Sequence, residues 1–406
     1  MMKRNNGVGR RSPMAGRLFR PRDVGGLINL MLLVGIGTFC LNQILLLRVS
    51  IPEKEGLPLM GRDSIGKYLD SGRSGWVPCQ LDNATTIRLP PFPTFIIIGA
   101  QKGGTSAMYE LLKKVPGLTG SESFEPHFFD LNISSDLNER DPDTYTEHEI
   151  CQLRKRYFDL HFSRNGKYPL DLGISFEKTP SYMAFPKIAK MIFAVVSPKP
   201  KLLVSLRDPV DRVFSSYKLF WLNNENSPAE TRLKVLPSFE VVLDQSIAEL
   251  RRLNGTLMPP VMTDRSASDW ETANLPEIDN RPAPDFHTDN YMGVLMRGMY
   301  ARQLKPFLDL WTLGVDIKII TIEALKKLPS ETLSDILDFV GAPRDHNFTS
   351  LELSENLSPY REAAKEHSKG TPVMKEATRA YLKRFYKPYN DELADLLGEE
   401  YRGIWD

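Results

Sequence analysis

Residues 95–106, Phe-Ile-Ile-Ile-Gly-Ala-Gln-Lys-Gly-Gly-Thr-Ser, constrain this chain more than any other stretch. Phe95 and the three isoleucines read as a buried strand, because aromatic and β-branched side chains suit a pleated sheet. The strand runs into a glycine turn, and Ala107 to Lys114 reads as a helix. Strand, glycine turn and helix N-terminus together hold phosphate. Glycine lets the backbone approach the anion, amide N–H groups point at it, and the helix dipole adds partial positive charge. The loop differs from the nucleoside-triphosphatase pattern, in which lysine follows the second glycine. Here Lys102 precedes Gly103-Gly104, and Thr105-Ser106 follow. A tight strand-to-helix turn with a surface lysine has the same local form, so this loop needs a second element.

That element is Lys201 to Leu206, a second strand-like run that ends in Arg207-Asp208-Pro209-Val210-Asp211-Arg212-Val213-Phe214-Ser215-Ser216-Tyr217. Pro209 suits the first turn of a helix. Arg207 then stands at a strand's carboxyl end and Ser215 about two turns into the helix, on the side where open α/β sheets bind ligands. The guanidinium offers a planar fork that matches phosphate; the plainer alternative is a salt bridge to Asp208 or Asp211. Two further segments carry reactive side chains, Phe124-Glu125-Pro126-His127-Phe128-Phe129-Asp130 and Glu177-Lys178-Thr179-Pro180-Ser181-Tyr182.

Taken together, these motifs resemble the sulfotransferases that use 3′-phosphoadenosine 5′-phosphosulfate (PAPS). The resemblance covers most of residues 92–406. It implies that Lys102, Gly103, Gly104, Thr105 and Ser106 hold the 5′-phosphosulfate, and that Arg207 and Ser215 hold the 3′-phosphate. The segments around Glu125 and Lys178 resemble the K-E-x-H-F-F-D and E-K-T-P-x-Y motifs of heparan sulfate sulfotransferases. By that likeness Glu125 is the general base, with His127 and Asp130 beside it and Lys178 near the acceptor. A sugar hydroxyl is a poor nucleophile until a positioned group takes its proton, and an imidazole at His127 is the rival for that task. Ser368-Lys369-Gly370-Thr371 occupies the place of a loop that closes over the 3′-phosphate. The heparan enzymes carry a cysteine-flanked K-G-R loop there, whereas this chain has no cysteine after Cys151 and no arginine next to Gly370. Its tail, Met374 to Asn390, is more similar to chondroitin N-acetylgalactosamine 4-sulfate 6-O-sulfotransferase. An aromatic stripe over 291–313 (Leu295, Tyr300, Leu304, Leu308, Trp311) matches a family helix and reads as core.

Leu27 to Leu47 is an uncharged, mainly apolar run of 21 residues. At about 1.5 Å per residue it reaches roughly the 30 Å of a bilayer core. Lys3, Arg4, Arg10, Arg11, Arg17, Arg20 and Arg22 precede it, against Asp23 alone. The positive-inside rule keeps that tail cytosolic and sends the remainder into the lumen; a mitochondrial presequence is the alternative. Lys and Arg number 52 against 51 Asp and Glu, so no global basic field supports nucleic-acid binding. Six scattered histidines without close Cys/His spacing give no expectation of a metal site. Asn83, Asn254, Asn347 and Asn356 head glycosylation sequons, while that of Asn132 is set aside because it lies close to Asp130. Cys40 falls in the apolar run, which leaves Cys79 and Cys151 as the possible luminal disulfide, paired or free.

The expected organisation is a basic cytoplasmic tail (1–26), a transmembrane anchor (27–47), a luminal stem without periodicity (48–90) and one α/β domain (91–406). Strand candidates at 94–100, 172–176, 201–206 and 316–322 alternate with helices near 104–114, 184–194, 209–223 and 239–253, which predicts a central parallel sheet flanked by helices. Residues 254–290 read as a proline-rich insertion. The resemblance thus implies a Golgi type II membrane enzyme that moves sulfuryl from PAPS to a glycosaminoglycan hydroxyl, without a metal. The carbon would be a chondroitin or dermatan N-acetylgalactosamine 6-position or a heparan glucosamine position. A protein-tyrosine sulfotransferase and a catalytically silent PAP-binding protein are the alternatives.

Overall fold

The computed structural model describes residues 77–81, 85–90, 92–131, 140–163, 173–225, 238–254, 295–342 and 372–406, which lie in one compact unit. The chain first forms an antiparallel hairpin, β1 (Val77–Gln80) with β2 (Thr86–Leu89). Cys79, Ile87 and Leu89 are buried while their strand neighbours Pro78, Gln80, Thr86 and Arg88 are exposed. Residues 77–80 and 86–89, expected to belong to an aperiodic stem, therefore form this hairpin. Strands of four residues are too short for alternation to stand out in sequence. Cys79 is disulfide-bonded to Cys151, with Cα atoms 5.4 Å apart.

Five parallel strands follow: β3 (Phe95–Gly99), β4 (Leu118–Gly120), β5 (Ile174–Lys178), β6 (Lys201–Leu206) and β7 (Ile317–Thr321), in the order β4-β5-β3-β6-β7. Among the described residues the helices of six or more residues are α1 (Thr105–Leu112), α2 (Glu147–His161), α3 (Pro186–Val195), α4 (Pro209–Glu225), α5 (Phe239–Asn254), α6 (Tyr300–Leu308), α7 (Ile322–Lys327), α8 (Pro329–Val340) and α9 (Glu376–Leu397). β3 is apolar without a break because both its faces are covered. Ile96 and Ile98 turn toward a core that includes Leu153, Ile192 and Leu304 of α2, α3 and α6. Phe95 and Ile97 turn the other way, toward Met108 of α1 and Leu333 of α8. A third core joins Val213 of α4, Leu243 of α5 and Phe385 of α9.

Two details differ from the sequence expectation. The strand expected at 172–176 is β5, which runs on through Glu177 and Lys178, paired with Ile96 and Ile97. Charged residues hid that continuation. Of the helix expected over 291–313, Tyr300–Leu308 forms α6, and the aromatic stripe is core: Leu295, Tyr300, Leu304 and Trp311 are all buried. Residues 27–47, most of 254–290, Ser368, Lys369, Gly370, Thr371, Asn83, Asn132, Asn347 and Asn356 lie outside the described residues. Asn254 is the last residue of α5. Among the described residues no helix is long and apolar enough to cross a membrane.

The disulfide closes a span of 72 residues. Cys79→Ala and Cys151→Ala are each expected to lower stability by about 2–4 kcal/mol, because the open chain regains loop entropy. Denaturant unfolding checks this, and the double variant should lose no more than either single one. Additive losses would mean that the two sulfurs do not act as one bond.

Candidate active site

β3 lies between β5 and β6, so the loops after these three strands meet at one edge of the sheet, the side where open α/β folds bind ligands. After β3 the chain turns tightly. Ala100 N donates to Ser205 O (2.9 Å), Gly103 N to Ala100 O (2.8 Å), and Ser205 Oγ to Gly103 O (2.7 Å). A Cβ on Gly103 would stand 2.1 Å from Ser205 O, and one on Gly104, at φ +87°, would stand 2.3 Å from Ile322 Cδ1. The glycine pair is thus required by the packing of the loop on β6 and α7. Lys102 adopts φ 69°, a left-handed backbone that costs a residue with a Cβ about 1–2 kcal/mol. Gly104 caps α1 without a side chain, so no side-chain acceptor at that position competes for the first-turn amides.

Opposite this loop, at the end of β6, Arg207 Nη1 donates to Lys102 O (3.5 Å), and Tyr300 OH donates to Arg207 O (2.7 Å). Among the described residues Arg207 makes no ion pair with Asp208 or Asp211. Asp208 Oδ1 accepts from Val210 N (2.8 Å), and Asp211 pairs with Arg379 (2.9 Å). Among the described residues the buried Nε of Arg207 has no hydrogen-bond partner. Arg212, on α4, is fully buried. Burial pulls the Lys102 ammonium down, and repulsion from Arg207 and Arg212 pulls it further, to about 8. Ser215 sits half-buried on the same helix.

A lysine, two arginines and a helix start converge here, and the Nε of Arg207 is buried without an acceptor among the described residues. This donor set fits a polyanion such as PAPS. Lys102, the α1 amides and Ser106 could hold one phosphate group, and Arg207 and Ser215 another.

A second cluster stands beside the first. Lys178 closes β5 with its side chain wholly buried, and its Nζ donates to Glu125 Oε1 (2.6 Å) and Ser106 Oγ (3.3 Å). Glu125 Oε2 lies 3.2 Å from His127 Nε2, while His127 Nδ1 lies 3.0 Å from Asp130 Oδ2. Ser181 Oγ donates to the same Asp130 oxygen (2.5 Å). His127 has φ 49° and, with Lys102, is one of two non-glycine residues at positive φ among the described residues. Burial pulls its imidazolium down, but hydrogen bonds to Asp130 and Glu125 outweigh this and raise it to about 10. At neutral pH His127 is a cation. Burial pushes the Glu125 carboxyl up, yet His127 and Lys178 hold it below the usual carboxylate range. Burial likewise pulls the Lys178 ammonium down, with Glu125 opposing.

Behind this cluster Glu177 is fully buried and accepts from Tyr157 OH and from Thr179 Oγ1 (2.9 Å). Burial lifts its carboxyl to about 7 against those two bonds. Thr179 Oγ1 in turn accepts from His127 N (3.4 Å), the backbone of a left-handed residue.

Glu125, His127, Asp130 and Lys178 therefore form one group, joined to the glycine loop through Ser106. Arg212, Thr179, Ser181 and Glu177 had no assigned role in the sequence reading. Arg212 stood inside the Arg207–Tyr217 segment, and the other three inside the Glu177–Tyr182 motif, so the signal was present but carried no distance. No set of three or more metal-ligating side chains gathers among the described residues.

Residues 92–384 match the family described as Sulfotransferase domain. The chain belongs to that family. It is a PAPS-dependent sulfotransferase. Heparan sulfate glucosamine 3-O-sulfotransferase 3A1 of Mus musculus is 24% identical over 357 residues, 85% of this chain and 72% of the relative. Heparan sulfate glucosamine 3-O-sulfotransferase 6 of the same species is 26% identical over 331 residues, 78% of this chain and 74% of the relative. The sulfotransferase is also similar to the membrane-associated sulfotransferase kil1 of Dictyostelium discoideum, 23% identical over 346 residues, 76% of this chain and 66% of that protein. Among solved structures, a sulfotransferase from Alicyclobacillus acidocaldarius aligns with a TM-score of 0.48 at 23% identity, over 77% of this chain and 97% of its own.

Proposed function

We propose that this sulfotransferase acts on a glycosaminoglycan hydroxyl, with Glu125 as the general base. The observation that carries this reading is the bridge made by Lys178, which touches both Ser106 at the start of α1 and Glu125. One ammonium thus ties the donor loop to the base. PAPS, when bound, supplies the sulfuryl group. Lys102 and the α1 amides stabilise the charge that builds on the leaving phosphate, an effect worth most where water is excluded. The acceptor hydroxyl becomes more acidic as its oxygen attacks, so a carboxylate held below its ordinary range suffices to take the proton. His127, already protonated, orients Glu125 and has no lone pair for that task. Asp130 and Ser181 fix the imidazolium. Arg207, with Ser215, Ser368, Lys369, Gly370 and Thr371 from sequence, would surround the 3′-phosphate.

The similarity to 3-O-sulfotransferases of heparan sulfate supports a carbohydrate acceptor; the carbon is a heparan glucosamine or a chondroitin or dermatan N-acetylgalactosamine position. We place the catalytic domain in the Golgi lumen behind an anchor at residues 27–47. Support comes from the cytosolic-type basic tail, the likeness to a membrane-associated sulfotransferase, and the Cys79–Cys151 bond, which belongs in an oxidising compartment. Sealed microsomes carrying the full chain test both points. With labelled PAPS and an added polysaccharide, transfer is expected only after detergent opens the vesicles. Transfer without detergent would overturn the luminal placement, and transfer to tyrosyl peptides alone would overturn the acceptor class.

A further inference from the structure

Phe124 immediately precedes Glu125 and is 46% exposed, whereas Phe128 and Phe129 of the same segment are buried. The ring is not loose. Lys178 Nζ lies 3.4 Å from its centroid. At that distance an approach in the ring plane would overlap the ring carbons, so the ammonium covers one face. Tyr109 meets Phe124 at an interplanar angle of 89°, centroids 5.3 Å apart. Tyr109 itself is buried, packed edge-on against Phe176 and tied through its hydroxyl to Ser121 O (3.0 Å). Phe124 therefore presents a fixed aromatic surface to water, one residue from the carboxylate and directly over the lysine that anchors it.

Single exposed apolar residues are ordinary on protein surfaces. The juxtaposition here is what is informative: a clamped flat ring, half exposed, next to the proposed base. Pockets orient their ligands with apolar and aromatic walls and a few placed polar groups. A pyranose has a face of C–H groups that packs against such a ring while its hydroxyls point sideways. We propose that Phe124 is the acceptor platform of this enzyme, a specificity-determining residue whose open ring surface stacks against the C–H face of the sugar delivered to Glu125. Stacking removes freedom of tilt, so the reacting hydroxyl is held within reach of the carboxylate. A phenyl ring offers no ion pair, so this position selects a sugar by its face and leaves recognition of sulfate or carboxylate substituents to other residues. The inference rests on the carbohydrate-acceptor reading above.

Three substitutions in the full chain separate a platform from a simple cover over Lys178. Phe124→Leu keeps an apolar cover but has no flat face, Phe124→Trp keeps the face, and Phe124→Ala removes both. With a polysaccharide acceptor, Phe124→Leu is expected to raise acceptor KM about tenfold, the scale of one well-made ring contact. Its kcat should stay within a few-fold and its affinity for PAP, read by calorimetry, should not change. Phe124→Trp should restore KM, and Phe124→Ala should lose kcat as well. Wild-type KM in Phe124→Leu, with polysaccharide transfer intact, would overturn the platform and leave the acceptor class standing. Transfer by the wild type to tyrosyl peptides alone would overturn both.

Discussion

Glu125→Gln is expected to reduce sulfate transfer by roughly 10²-fold or more while PAP still binds with wild-type affinity, the usual scale for loss of a positioned base. Glutamine keeps the volume and one hydrogen-bonding oxygen for Lys178, so the phosphate loop stays tied to the cluster. Only the basic oxygen is lost. The pH profile adds a second readout. Because His127 and Lys178 hold the Glu125 carboxyl below its ordinary range, activity of the wild type should persist to lower pH than an unperturbed carboxylate would allow. His127→Ala removes one of those two cations, so its acid limb should move to higher pH, with measurable turnover remaining. Near-wild-type turnover in Glu125→Gln beside a dead His127→Ala would transfer the role to the histidine. The ionisation of His127, at about 10, argues against that outcome.

Lys102→Ala is expected to lower kcat by roughly 10²–10³-fold, since it removes a preorganised cation from the point where charge develops. Arg207→Ala should act differently. Its guanidinium faces the proposed 3′-phosphate away from the chemistry, so PAP affinity should fall by roughly 10²-fold, as for a truncated partner of a desolvated charge pair. Unchanged PAP affinity in Arg207→Ala would sink the assignment of the 3′-phosphate site. The crowding of Lys102 by Arg207 and Arg212 supplies an independent check. The free enzyme's ammonium titrates at about 8, and a bound polyanion raises that value because it favours the charged form. PAP binding near pH 8 should therefore take up protons, visible as a dependence of the calorimetric heat on buffer ionisation enthalpy. The uptake should shrink toward pH 6.5, where Lys102 is already charged, and disappear in Lys102→Ala.

Much of the fold could be read locally. β3, its glycine loop and α1 are consecutive, and so are β6, Arg207 and α4; each recipe depends on side-chain period and turn chemistry within a few residues. The end of β5 escaped because Glu177 and Lys178 break the apolar run, though both are buried at the strand end where the site forms. The β1–β2 hairpin escaped because its strands are short and its buried face is completed by Cys151.

By itself the sequence determined the parts: a glycine loop between a strand and a helix, an arginine at a strand end, and two short motifs that bear a carboxylate, an imidazole and a lysine. Tertiary structure decided how they act on one another. Lys178 reaches Ser106 and Glu125 across 72 and 53 residues of chain, which is possible only because β3 pairs with β5 on one side and β6 on the other. The sequence left the surroundings of His127 open; in the structure two carboxylates stand within hydrogen-bond reach of its imidazole, which supports Glu125 as the proposed base. Backbone propensity is set by near neighbours along the chain, whereas Coulomb energy and desolvation depend on separation in space. The strand order fixes that separation.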